Sequence, residues 1–375
     1  MVFALTGARV FDGTDMLDGM TVIVDGSVIA DVLPASSLPH YIEVQDLKGG
    51  ILSGGFIDVQ VNGGGGALMN DNPTIETVRR IAEAHRKFGT TGLLPTVITD
   101  DQKVIDQAVA AVQDAISNRV PGVLGIHLEG PFLDPARKGA HPENFIRAMT
   151  ESDVQRIAAI ACGSVMLTLA PNKVPAGFIS ELAQSGILIS LGHAEATVAE
   201  VRQALGAGAR AFTHIYNAMS QLNGREPGMV GACLADHESF CGVIVDGLHV
   251  DEIALKVLFA AKANDRIMLI TDAMPPAAGG PEKFELQGRM ARRVGHRLQL
   301  DDGTLAGSIV TMDEAVRRSV QLGVSLKDSL NMASLVPAQC LRRENELGRV
   351  AKGFVASMVH LSDDLHVKKT WIDGQ

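Results

Sequence analysis

The feature that most constrains this chain is a repeat of apolar, β-branched runs separated by helical patterns, beginning at Gly55. About eight such runs can be counted: Gly55 to Val61, Thr91 to Thr96, Gly122 to Leu128, Val165 to Leu169, Ile187 to Leu191, Ala209 to Phe212, Cys241 to Val245 and Ile267 to Ile270. Stretches such as Thr74 to Phe88, Gln102 to Ile116 and Val198 to Gly206 carry helical periodicity between them. Continuous apolar runs alternating with helices mark βα units whose parallel strands are covered on both faces. Eight units predict an α/β fold, a closed (β/α)₈ barrel of TIM type. A doubly wound sheet would instead need a phosphate loop after the first strand. Asn62-Gly63-Gly64-Gly65-Gly66 lacks both the P-loop lysine and the dinucleotide spacing, and is read as a permissive turn.

Outside the repeat the pattern changes. Residues 1 to about 50 alternate apolar and polar positions around Asp12-Gly13 and Asp25-Gly26 turns, and similar bursts return at 354–361 and 369–374. The two termini are therefore expected to form one small β-sandwich domain, residues 1–54 with 345–375. The barrel then takes residues 55–344, with a β-hairpin inserted near 283–303.

Composition excludes several function classes. A formal net charge of −10 over 375 residues argues against nucleic-acid or anionic-membrane partners. An anionic ligand would need its own local cations. Four cysteines without CxxC spacing suit reduced thiols, and the N-terminus has neither signal-peptide character nor a run of membrane-spanning length, so a cytoplasmic location is expected.

Barrel enzymes assemble their sites from the carboxyl ends of several strands. The runs end in Gln60 and Asn62, Glu129, His193, His214, His249 and Asp272. Any one histidine alone reads more readily as structural; three histidines, a glutamate and an aspartate at the same end of successive strands do not read as chance. Glu129, His193 and His214 offer one oxygen and two imidazole nitrogens, a set suited to Zn²⁺ with a position left open for water. A water so held has its pKa lowered to roughly 7. Asp272 could take that proton and return it to a leaving group, although capping the following segment is its bland alternative.

Six motifs together resemble the N-acetylglucosamine-6-phosphate deacetylases of the amidohydrolase superfamily: HLEGPF (127–132), GHA (192–194), THIYNAM (213–219), GREPG (224–228), DGLHV (246–250) and TDA (271–273). Each is weak alone, and the ordered set spans nearly the whole chain. The resemblance implies hydrolysis of the acetamide of N-acetylglucosamine 6-phosphate to glucosamine 6-phosphate and acetate, a step of amino-sugar catabolism. It implies one divalent ion per subunit on Glu129, His193 and His214, with Zn²⁺ expected, Asp272 as general base and then acid, and His141 polarising the acetamide carbonyl. For the sugar phosphate it points to His141, Asn217, Ala218, Arg225 and His249, and to the loop carrying Ala306 and Ser308. It also implies a homodimer, in which Arg225 could reach a neighbouring site.

Departures narrow these expectations. Many amidohydrolases carry His-x-His after the first strand to hold a second metal, but here Gln60-Val61-Asn62 stands there. Amides are poor ligands beside imidazole, so one metal is expected, with Gln60 and Asn62 at most hydrogen-bonding its water. Asn172 occupies a position expected to be acidic. His127-Leu128-Glu129 superficially matches the H-x-E of zinc deaminases, but the P-C-x-x-C partner is missing. Another barrel amidohydrolase acting on a different amide, or a non-catalytic sugar-phosphate sensor, remain the alternatives.

Overall fold

The structure is a computed structural model describing all 375 residues, Met1–Gln375. Eight parallel strands lie side by side in sequence order: β1 (Phe56–Val61), β2 (Thr90–Ile98), β3 (Gly125–Glu129), β4 (Ser164–Leu169), β5 (Leu188–Leu191), β6 (Ala211–Phe212), β7 (Phe240–Val243) and β8 (Ile267–Leu269). Nearly every residue in them is buried, which explains why they read as unbroken apolar runs rather than alternating ones. Neighbours from β1 to β8 pair through backbone ladders. The closing seam, between β8 and β1, is different. It holds only a single parallel bridge, Val61 with Ala273, with the Asp272 and Gly63 amides donating to the Gln60 and Ala273 carbonyls at 2.9 and 2.8 Å.

The covering helices start where sequence chemistry starts them. Thr74 and Asp101 cap Ile75–Arg86 and Gln102–Ser117, while Thr150 with Asp153 and Thr197 with Glu200 form capping boxes on Glu151–Ala158 and Val198–Gly206. Each fixes where a loop at the carboxyl end of a strand turns back into a helix. The Gly-rich segment after β1 is a tight turn. A Cβ on Gly64 would lie 2.5 Å from His85 Nε2, so the close approach to the helix requires glycine there.

The two termini build two sheets. Val28–Pro34, Met20–Asp25, Val2–Thr6 and Glu43–Asp46 form one; Val367–Trp371, Met358–Leu361, Ile51–Gly54, Arg9–Phe11 and Met16–Leu17 form the other. Phe3, Leu5, Val10, Val22, Val24, Met358 and Trp371 fill the space between them. The insertion after β8 differs from the hairpin expected. It is a three-stranded antiparallel meander, Lys283–Leu286, Arg289–Val294 and Arg297–Leu300. Phe284, Leu286, Ala291, Leu298 and Leu300 turn inward onto Ile98, Met274 and Ala306 at the barrel mouth. Their period-two pattern is interleaved with charge, which makes the third strand hard to separate from a polar loop. No helix is long and apolar enough to cross a membrane, and all four cysteines are buried free thiols.

Candidate active site

Glu129, His193 and His214 come together at the carboxyl ends of β3, β5 and β6 and are almost fully buried. His214 Nε2 lies 3.0 Å and His193 Nε2 3.3 Å from Glu129 Oε1, and the two imidazole nitrogens are 3.0 Å apart. His193, His214 and Asp272 all adopt positive φ, at 49°, 30° and 50°. Non-glycine residues pay for that conformation, and it recurs where side chains must be aimed at a site.

This donor set fits a divalent cation. His193 Nδ1–H donates to the Arg137 carbonyl at 2.9 Å, so the neutral ring turns an Nε2 lone pair toward Glu129 and His214. Three lone-pair-bearing atoms then crowd one point, and they repel unless a proton or a cation lies between them. His214 Nδ1 is buried without a partner in the chain. Burial pushes the Glu129 carboxyl up, but the His193 and His214 rings packed against it outweigh this and hold the group well below its usual range. For His214, burial disfavours the imidazolium, and the Glu129 bond and charge reverse that and raise its pKa.

Asp272 stands beside this cluster at the seam. Asn62 Nδ2 donates to its Oδ1 at 2.6 Å and Gln60 Nε2 at 3.2 Å, while the same Gln60 amide also donates to Glu129 Oε1 at 3.0 Å. Of the two amides expected beside a metal's water, Gln60 thus bridges the two carboxylates and Asn62 holds Asp272 alone. Withdrawal from water and the neighbouring Glu129 charge push the Asp272 carboxyl up to about 6. Below it, Asp58 accepts from the Thr271 hydroxyl and from the Gln60 and Thr271 amides, tying β1 to the segment after β8.

A cavity of about 410 Å³ opens onto these groups. His141, Asn217, Ala218 and His249 line it. The His141 ring lies 4.4 Å from that of His193, and its Nδ1 is 2.8 Å from the Thr99 hydroxyl; burial and His193 drive its pKa well below normal. His249 Nδ1–H donates to Asp246 at 2.7 Å. Ala306 and Ser308 are buried behind the wall, which Thr304, Leu305 and Gly307 form. Arg225 is exposed and does not line the cavity. The Glu226 carboxylate, rather than pairing with it, accepts from the Val198 and Gly228 amides.

His127 lies one inward-facing layer below Glu129. Its Nδ1–H donates to the Val59 carbonyl at 2.9 Å, so Nε2 accepts from the Thr168 hydroxyl at 2.7 Å. Thr168 Oγ1 in turn accepts from Thr213, and Thr213 from Ser190, each at 2.6 Å. Burial lowers the His127 pKa to about 4, so this histidine is a neutral part of the barrel floor. Sequence reasoning missed Asp58, Thr99 and Arg137. Thr99 follows a run that ended without an ionisable group, Asp58 sits inside a strand, and Arg137 acts through its carbonyl, which no side-chain motif reports.

The amidohydrolase family model matches residues 51–375, and a model described as the NagA composite domain matches residues 2–52. An N-acetylgalactosamine-6-phosphate deacetylase of Shewanella sp. (strain ANA-3) is 41% identical, over 98% of this chain and 94% of that protein. An N-acetylglucosamine-6-phosphate deacetylase of Haemophilus influenzae is 31% identical, over 100% of this chain and 99% of that protein. The crystal structure of N-acetylglucosamine-6-phosphate deacetylase from Pasteurella multocida superposes with a TM-score of 0.97 at 33% identity, covering 100% of this chain and 99% of that one.

Proposed function

The chain belongs to the amidohydrolase family, and on that premise we propose that it hydrolyses the acetamide of N-acetylglucosamine 6-phosphate to glucosamine 6-phosphate and acetate. The observation that carries this is the convergence of Glu129, His193 and His214 beside Asp272 in one cavity. The 41% identical relative favours a second reading, in which the substrate is the 4-epimer, N-acetylgalactosamine 6-phosphate. The two readings share every chemical step and differ only in one hydroxyl's orientation.

Glu129, His193 and His214 would hold one divalent ion, with Zn²⁺ matched to their N,N,O donor set. Such an ion, when bound, acidifies a water and polarises a carbonyl. Asp272 takes the proton of the attacking water. Its Oδ1 is occupied by Gln60 and Asn62, which leaves Oδ2 to receive the proton and deliver it to the departing amine. His141 donates to the acetamide oxygen. His141 Nδ1 lies 2.8 Å from the Thr99 hydroxyl, whose proton also has the Glu129 carbonyl at 3.3 Å; Nε2–H faces the substrate when that proton goes to Nδ1. Burial keeps the ring in the neutral form this needs.

Asn217, the Ala218 backbone and His249 line the cavity where sugar and phosphate would lie, with Ala306 and Ser308 supporting the wall behind the Thr304–Gly307 loop. Arg225 is exposed and lies outside its own cavity, which supports the reading that it serves as a phosphate clamp for a second copy in a homodimer. A planar guanidinium suits that task.

The test is acetate release by metal-stripped protein, with and without one equivalent of Zn²⁺, from both 6-phosphorylated epimers and their unphosphorylated forms. Metal-restored release confined to phosphorylated sugars is expected, and the kcat/KM ratio between epimers selects the substrate. Equal activity on unphosphorylated sugar would overturn the phosphate contacts; metal-independent release would overturn the metal site.

A further inference from the structure

His193 can present its Nε2 lone pair only while Nδ1–H is held, and the acceptor is the carbonyl of Arg137 rather than a carboxylate. What fixes that carbonyl is therefore a question about the ligand. Arg137 ends the short turn Pro135–Arg137, and Asp134 caps that turn: Asp134 Oδ1 accepts from the Ala136 amide at 3.2 Å, and the Asp134 carbonyl accepts from the Arg137 amide at 2.8 Å. The Asp134 amide itself donates to the His193 carbonyl at 2.9 Å. Asp134 thus holds the His193 main chain directly and its ring through the Arg137 carbonyl. The remaining oxygen reaches further. Asp134 Oδ2 accepts from Asn172 Nδ2 at 2.6 Å and from the Glu195 amide at 3.3 Å, with Lys173 Nζ 3.4 Å from Oδ1. Asp134 is 4% exposed and joins the loops that follow β3, β4 and β5. Asn172 is the position where an acid was expected. An acid there would set a second carboxylate against Asp134, whereas the amide donates to it.

We propose that Asp134, with Asn172 as its donor, is the positioning residue that fixes the ring orientation and tautomer of His193. The proposal rests on the reading of Glu129, His193 and His214 as a metal site. Its signature is metal affinity, which a carboxylate contributing only to the stability of the fold would leave alone.

The experiment titrates metal-stripped protein with Zn²⁺ against a chromophoric chelator, and with Co²⁺ read by its visible spectrum. Asp134→Ala is expected to weaken binding about 10- to 100-fold, the range for loss of such supports. Asp134→Asn keeps an acceptor oxygen for the turn but sets an NH2 against the Asn172 and Glu195 donors, and is expected to weaken binding less than Asp134→Ala and at least as much as Asn172→Ala. Asn172→Ala, at a half-buried site, is expected to weaken binding about three- to tenfold and decides the matter if Asp134→Ala fails to fold. Affinities and Co²⁺ spectra of Asp134→Ala and Asn172→Ala equal to the parent's would overturn the proposal while leaving the metal site standing. A parent that binds no metal, or a Glu129→Gln variant that binds as tightly as the parent, would sink the site reading itself and the proposal with it.

Discussion

The barrel is joined in two ways, and the two sides of the site follow the division. From β3 to β6 the strands meet through backbone ladders, and the ends of β3, β5 and β6 carry Glu129, His193 and His214. Between β8 and β1 the ladder gives way to a single bridge, and side chains take over: Asp58 to Thr271, and Gln60 and Asn62 to Asp272. The strands that carry the proposed ligands therefore stand on backbone ladders. The proposed proton carrier stands on side-chain chemistry, where its position and its affinity for protons are set by the same few groups. The comparison predicts that substitutions at the seam change proton handling and its pH dependence, while substitutions on the ladder side below the ligands change stability alone.

The largest effect should come from Asp272→Asn. The amide keeps an oxygen for Gln60 and Asn62 but cannot accept a proton, so kcat is expected to fall by roughly 10²–10⁴ while Zn²⁺ affinity stays within a few fold. Retained turnover would break the assignment of the seam to proton transfer. Asp58→Asn tests the seam's electrostatics through stability. Burial raises the Asp58 carboxyl from an ordinary 3.8 to about 7. An acid whose folded pKa is raised binds its proton more tightly when folded, so its penalty is absent near pH 4, grows as pH rises through the interval to 7, and is complete above it. The shift corresponds to up to about 4 kcal/mol. Metal-stripped Asp58→Asn should therefore melt with the parent near pH 4 and above it at pH 8. A difference in Tm that does not vary with pH would remove the seam's charge penalty from the comparison.

How far the sequence disclosed this arrangement depended on the physical signal each part leaves. Buried parallel strands leave unbroken apolar runs, so all eight were found, with their ends off by a few residues; β2 runs on to Ile98, beyond Thr96, because its extension is equally apolar. Ligand-type residues at strand ends are visible because they interrupt such runs, which is how Glu129, His193, His214 and Asp272 stood out. Asp58 also interrupts one, but mid-strand, where no end-of-strand rule applies. The third strand of the inserted meander, and which residues of the expected loop face the cavity, Leu305 and Gly307 rather than Ala306 and Ser308, depend on how loops pack on the mouth. Loop packing carries no period, so residue pattern did not reveal it.

The ladder side offers the control. In the floor beneath the ligands, the hydrogen-bond direction is forced from one end: His127 Nδ1–H goes to Val59, so Thr168 donates to His127, Thr213 to Thr168 and Ser190 to Thr213. Thr168→Val cuts the chain in its middle, leaving His127 Nε2 without a donor and Thr213 without an acceptor, at a cost of roughly 1–3 kcal/mol per stranded group. Ser190→Ala removes only the terminal donor. Thr213 keeps its own proton on Thr168 and loses a bond it accepted, which costs about 0.5–1.5 kcal/mol. Both variants should keep the parent's kcat and its pH profile once metal is saturating, because neither touches Asp272, Gln60 or Asn62. Urea denaturation of the two beside acetate-release assays checks this. If Ser190→Ala, the mildest of these changes, shifted the pH profile, the floor would be coupled to proton transfer and the division between ladder and seam would fail.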